Sequence, residues 1–77
     1  MILTELAPGK TAIIESIDTA DAAVQRLMVL GMVEGAALTF VRSSIGGDPL
    51  EFRLFGAAIS LRREQAEKFT VVPVAAG

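Results

Sequence analysis

Ser43 and Ser44 are adjacent hydroxyls in a chain of 77 residues, and they are the first candidates for a nucleophile. A serine attacks only when a base within hydrogen-bond reach takes its proton. The chain has no histidine, cysteine or tyrosine, so neither serine has an imidazole partner and no thiol can replace it. Two pairs of carboxylates come next, Asp18 with Asp21 and Glu64 with Glu67. Acid–base catalysis needs two such groups held in contrasting environments. The first pair instead precedes an apolar run and reads as helix caps, and the second reads as a solvated face. Gly46-Gly47 lacks the Lys-Ser/Thr ending and the spacing of a phosphate loop, so it reads as a flexible turn. No catalytic residue emerges, no cofactor is implied, and the chemistry points away from an enzyme.

The composition narrows the remaining classes. Seven basic residues face nine acidic ones, for a net charge of −2. Gripping nucleic acid requires neutralising several phosphates, so no nucleic-acid partner is expected. The chain begins Met1-Ile2-Leu3-Thr4-Glu5, with an acid where a signal peptide carries a base. No apolar run approaches the ~18 residues of a membrane span. These features predict a cytoplasmic protein with no direct membrane insertion. At this length one domain, residues 1–77, is expected. Disulfides and the usual zinc ligands are both missing, so the core must come from the 52% of residues that are apolar.

Several elements are needed to position any functional surface. Thr4-Glu5-Leu6 predicts a helical turn ended by Pro8-Gly9. Thr11 to Ile17, rich in β-branched residues, predicts a first strand. Asp18, Thr19 and Asp21 are candidate N-caps for a helix running to Leu30, with Gly31 in the left-handed position that ends helices. Further strands are expected at Ala37–Arg42, Leu50–Phe55, Ala58–Leu61 and Phe69–Val74, with a tight turn at Gly56-Ala57. A short helical turn is expected from Arg63 to Lys68, and Ala75-Ala76-Gly77 is expected to fray. Five strands with one main helix after the first describe a mostly β, small SH3-like barrel. The expected core is Leu3, Ile13, Leu27, Leu38, Phe52, Leu54, Ile59, Leu61 and Val71.

Three local patterns also match one family. They are Arg26-Leu27 followed by Leu30-Gly31-Met32 and Gly35; Gly47-Asp48-Pro49; and Gly56 followed by Ile59-Ser60-Leu61-Arg62, Glu64, Ala66 and Val71. In that order the chain resembles the FeoA domain family over nearly its whole length. Glu34 and Ile45-Gly46 stand where the family often has proline and Pro-Leu, both in turns. The resemblance implies an SH3-like barrel that supports FeoB, a membrane ferrous iron transporter with a cytosolic GTPase domain. The alternative it implies is an adaptor acting with a metal-dependent transcription regulator, since similar domains end some such proteins. A third reading, a direct iron carrier, would have carboxylates such as Asp48 as its only ligands. Ferrous sites commonly add imidazole, so no metal residues are assigned.

Four residues are candidates for partner binding. At ~100° per residue, Ala23, Leu27 and Leu30 share the inner face of the helix, extended by Val24 and Met28. Val29 lies between the wet residues Gln25 and Arg26, as an apolar contact or as an ordinary exposed side chain. Met32 is either a neighbour of that contact or a plug for the barrel end. Phe55, by strand alternation, shares a face with Glu51 and Arg53 unless a bulge turns it inward. Arg26 is chiefly a surface arginine; supplied to a GTPase in trans, it would stabilise the charge of phosphoryl transfer. Val29, Phe55 and the last strand suit a weak homo-oligomer equally well.

Overall fold

The computed structural model describes residues 1–75, so of the expected frayed end Ala76 and Gly77 lie outside the described residues. Local chemistry sets most of the elements. Leu3–Glu5 forms a single 3-10 turn, closed by the Ile2 N–H donating to Glu5 Oε1 at 2.8 Å. Strand β1 is Thr11–Ile17, as its β-branched composition predicts. Helix α1 is Ala22–Val29, and its cap is Asp21, whose Oδ1 accepts the Ala23 N–H at 2.8 Å. Asp18 serves a separate turn, accepting from Ala20 N–H at 3.2 Å. The remaining elements are β2 (Ala37–Ser43), β3 (Leu50–Leu54), β4 (Ala57–Leu61), α2 (Arg63–Ala66) and β5 (Phe69–Pro73).

The strands form one antiparallel sheet in the order β4-β3-β2-β1-β5. Register shifts at Ile14/Ser16 and Phe40/Arg42 break the ladder, the kind of irregularity that bends a sheet toward closure. The core gathers Leu3, Leu6, Ile14, Val24, Leu27, Met32, Leu38, Leu50, Phe52, Leu54, Leu61, Phe69 and Val71, with smaller alanines between them. Phe40 tilts against Phe52 with ring centroids 5.2 Å apart. No polar or charged side chain is buried among the described residues.

Two expected core residues change place. Ile13 faces outward and Ile14 is buried, because β1 sets Ala12 against Leu38 and Ile14 against Val71. A strand alternates faces residue by residue, and adjacent isoleucines hide which phase applies. Ile59 is only partly buried, packed on the margin of the core. Leu30, expected on the inner face of α1, is instead exposed.

The Gly46–Pro49 segment is not the loose turn its composition predicts. Arg63 Nη2 donates to the Gly47 carbonyl at 2.9 Å, and Asp48 Oδ1 accepts the Arg63 backbone N–H at 2.9 Å. Asp48 Oδ2 lies 3.6 Å from Arg62 Nη1, and Gln65 Oε1 accepts the Arg62 N–H at 2.9 Å. The loop and the first turn of α2 therefore satisfy each other's backbone groups. Asp21→Ala should lower the unfolding free energy by about 1 kcal/mol through loss of the cap. Asp48→Ala should cost a similar amount, about 1 kcal/mol, by freeing α2 from the loop. Urea denaturation of each variant measures both losses.

Candidate docking surface

Helix α1 ends in a reversal built on Gly31. The Gly31 N–H donates to the Met28 carbonyl at 3.0 Å and the Met32 N–H to the Leu27 carbonyl at 3.2 Å. This is the paired bonding of a Schellman end, and it requires the positive φ of 114° that Gly31 adopts. The reversal swings Met32 inward, where it is fully buried. Met32 is therefore the plug, and it is not available as a surface contact. Leu30, the last residue before the reversal, is left 64% exposed, and Val29 beside it is 87% exposed.

A second segment comes to the same place. The β3–β4 hairpin turns at Phe55-Gly56, one residue earlier than the sequence suggests, with Leu54 paired to Ala57. Both turn residues have positive φ, 52° and 79°, the pattern of a type I′ turn. Phe55 therefore sits in the turn, and the strand alternation expected for it stops at Leu54. Its ring lies over Gly31: a Cβ added there would stand 2.9 Å from Phe55 Cε2 and 3.6 Å from Leu54 Cδ2. Even so, Phe55 remains 76% exposed.

Between the helix end and the hairpin lies an apolar cleft of about 190 Å³, lined by Leu30, Leu54, Ala57, Ala58 and Ile59. Around the helix from it, Ala22, Gln25, Arg26 and Val29 form a shallow polar-rimmed depression. The structure thus brings Val29, Leu30 and Phe55 to one end of α1, with Arg26 a turn behind. Sequence reasoning missed Leu30, because helical periodicity assigns it inward and only the reversal at Gly31 exposes it.

Phe55 is in an unfavourable place for its own backbone. A left-handed conformation costs a non-glycine residue roughly 1–2 kcal/mol. The turn type favours Asn-Gly at these two positions, so turn formation does not account for a phenylalanine. An outlier of this kind points to a role outside the turn itself.

The charge near the cleft differs from that of the whole chain. From residue 48 to 64 the chain carries Arg53, Arg62 and Arg63 against Asp48, Glu51 and Glu64, a local balance of zero where the total net charge is −2. Glu51 is paired with Arg42 at 3.4 Å and Arg62 with Asp48 at 3.6 Å, which leaves the guanidinium groups of Arg53 and Arg63, on the Gly56 and Gly47 carbonyls, without a carboxylate partner among the described residues. Among the described residues no cluster of three or more carboxylates, histidines or cysteines is arranged to hold a metal ion. No helix among them is long and apolar enough to cross a membrane.

Comparison with known proteins bears on what this surface serves. The chain is 34% identical over 71 residues to an Fe(2+) transport protein A/Fe(2+) transporter FeoB fusion protein of Porphyromonas gingivalis, covering 92% of this chain and spanning 8% of the fusion. The solution structure of the FeoA protein of Chlorobium tepidum superposes with a TM-score of 0.90 at 40% identity, over 97% of this chain and 71% of that one. A zinc-complexed FeoA of Stenotrophomonas maltophilia, a prokaryotic SH3-domain protein, matches with a TM-score of 0.81 at 32% identity, over 94% of this chain and 89% of that one. The sheet with its helix after β1 is thus the SH3-like fold of these proteins. The FeoA domain model matches residues 1–73, and with both the fold and the sequence in agreement the chain belongs to the FeoA domain family, a family of small non-catalytic accessory domains linked to ferrous iron transport.

Proposed function

We propose that this domain acts as a single docking module in the cytoplasm, binding the cytosolic part of a FeoB-type ferrous iron transporter and modulating it. The observation that carries the reading is Phe55, held outward in a backbone conformation that suits asparagine better. Val29, Leu30 and Phe55 supply the apolar contact, and Arg26 supplies charge at its rim. Apolar residues gathered at one place on a surface mark interaction sites more strongly than the same residues scattered. The fusion relative supports the transporter as the partner, since joining two modules in one chain raises their effective concentration.

Modulation follows from binding alone. A module that binds one conformation of its partner better than another shifts the partner toward it, by no more than the difference in affinity. No group on the domain needs to take part in nucleotide hydrolysis. Iron is the transporter's cargo in this scheme and does not pass through the domain.

Calorimetric titration into the purified full-length transporter, with and without guanine nucleotide, tests the reading. Val29→Asp should weaken binding roughly tenfold, the effect of a charge in the centre of an apolar contact. Phe55→Asn separates function from folding: the better fit of Asn-Gly to the turn offsets the loss of the ring's packing on Gly31, so the urea midpoint should change little, while binding weakens by a similar factor. No binding to a transporter that hydrolyses GTP normally would overturn the transporter reading. Capture by a metal-dependent transcription regulator would then replace it.

A further inference from the structure

The two edges of the sheet are finished differently. The outer side of β5 is covered: Met1 and Val71 exchange backbone hydrogen bonds at 2.7 and 3.0 Å, and Ile2 bridges Thr70. Pro73 and the register shift between β1 and β5 blunt that edge further. Strand β4 has none of these devices. Its sequence, Ala57-Ala58-Ile59-Ser60-Leu61, contains no charge and no proline, and it pairs with β3 without any irregularity.

The hairpin geometry shows which groups are free. In a two-residue hairpin the pair flanking the turn exchanges hydrogen bonds, and bonded pairs then alternate along the ladder. Leu54–Ala57, Phe52–Ile59 and Leu50–Leu61 are therefore the bonded pairs. Ala58 and Ser60 direct their N–H and C=O groups to the outer edge, where among the described residues they meet no backbone or side-chain partner. Alongside this edge runs the cleft of about 190 Å³ between Leu30 and Ala57, Ala58 and Ile59.

We propose that the free edge of β4 is a strand-addition site, which takes an extended segment of another protein with apolar residues facing inward and acidic residues facing outward. Backbone pairing to Ala58 and Ser60 supplies the register, and side chains of alternate residues supply specificity. Inward residues enter the cleft against Leu30. Outward residues lie on the face of Ala58, Ser60 and Arg62, beside Arg53, whose Nη1 is 3.4 Å from the Gly56 carbonyl, and Glu51, which stands across from Ser60 and is held by Arg42 at 3.4 Å. The Arg53 end of that face is cationic, while Arg62 at the other end already faces Asp48 at 3.6 Å, so a carboxylate is favoured on the incoming strand beside Arg53. A second copy of this chain fits less well. Antiparallel pairing of two copies about Ile59 sets Gly56, with the Arg53 guanidinium on it, opposite Arg62 of the other copy, and like charges so placed are destabilising. The site does not depend on which protein supplies the strand, and so stands or falls separately from the transporter reading.

The test uses the full chain, isotope-labelled, and a blocked peptide Glu-Val-Thr-Val-Glu followed by nuclear magnetic resonance. Bound peptide should slow amide hydrogen exchange at Ala58 and Ser60, leave Ala57 and Ile59 little changed, and shift the Leu30 methyl signals. The Lys-Val-Thr-Val-Lys peptide should bind about three- to fivefold more weakly, and Arg53→Glu should narrow or reverse that preference. N-methylation of the peptide threonine, whose N–H faces the edge, should abolish binding. Equal binding of the two peptides, or binding without protection of Ala58 and Ser60, overturns the proposal. So does failure of the acidic peptide to bind at millimolar concentration. Concentration-dependent protection of the same two amides without peptide, with a doubled mass, assigns the edge to a second copy instead.

Discussion

A helix that must reverse at Gly31 is the constraint on which the rest of the surface depends. With φ at 114°, the backbone bonds of Gly31 and Met32 close the last turn of α1 and send the chain back toward the sheet. Met32 enters the core as a direct result, and Val29 and Leu30 remain outside. The missing side chain at Gly31 is what allows the Phe55 ring to lie across the helix end. One residue without a Cβ thus ends the helix, plugs the core and exposes an apolar contact. It also joins the helix to a hairpin more than twenty positions away in the chain.

The second organising contact is the clamp between the β2–β3 loop and α2. Asp48 and Gly47 satisfy the backbone and side chain of Arg63, and they hold a helix of only four residues in place. A helix that short is not stable alone, so its position is borrowed from the loop. This accounts for Gly47-Asp48-Pro49 in mechanical terms, without any ligand. Both oxygens of Asp48 face arginines that this contact already employs, which is poor ground for a metal site.

Much of the fold was legible because its signals are local. Asp21 ahead of an apolar run, Gly31 after it, and the β-branched stretch from Thr11 to Ile17 each act within a few residues. The candidate surface was legible only in part. Val29 stood out because its helical neighbours Gln25 and Arg26 are polar, and it is exposed as that pattern implies. Phe55 stood out as an apolar residue out of step with its strand, yet the cause is a left-handed turn. Leu30 and Met32 exchanged roles because periodicity continues through a helix end while the chain does not.

The sequence by itself determined the order and kind of the elements, the stop of the helix, and the absence of any imidazole or thiol on which catalysis or tight metal binding could rest. These follow from propensities, caps and residue chemistry, which act over a few bonds. Only the tertiary structure decided which of Ile13 and Ile14 is buried, that Phe55 meets Gly31, and that among the described residues the edge of β4 is open while that of β5 is closed by Met1 and Ile2. Those outcomes depend on register and strand order between segments distant in the chain. A pairing choice of that kind leaves no mark on either segment read alone.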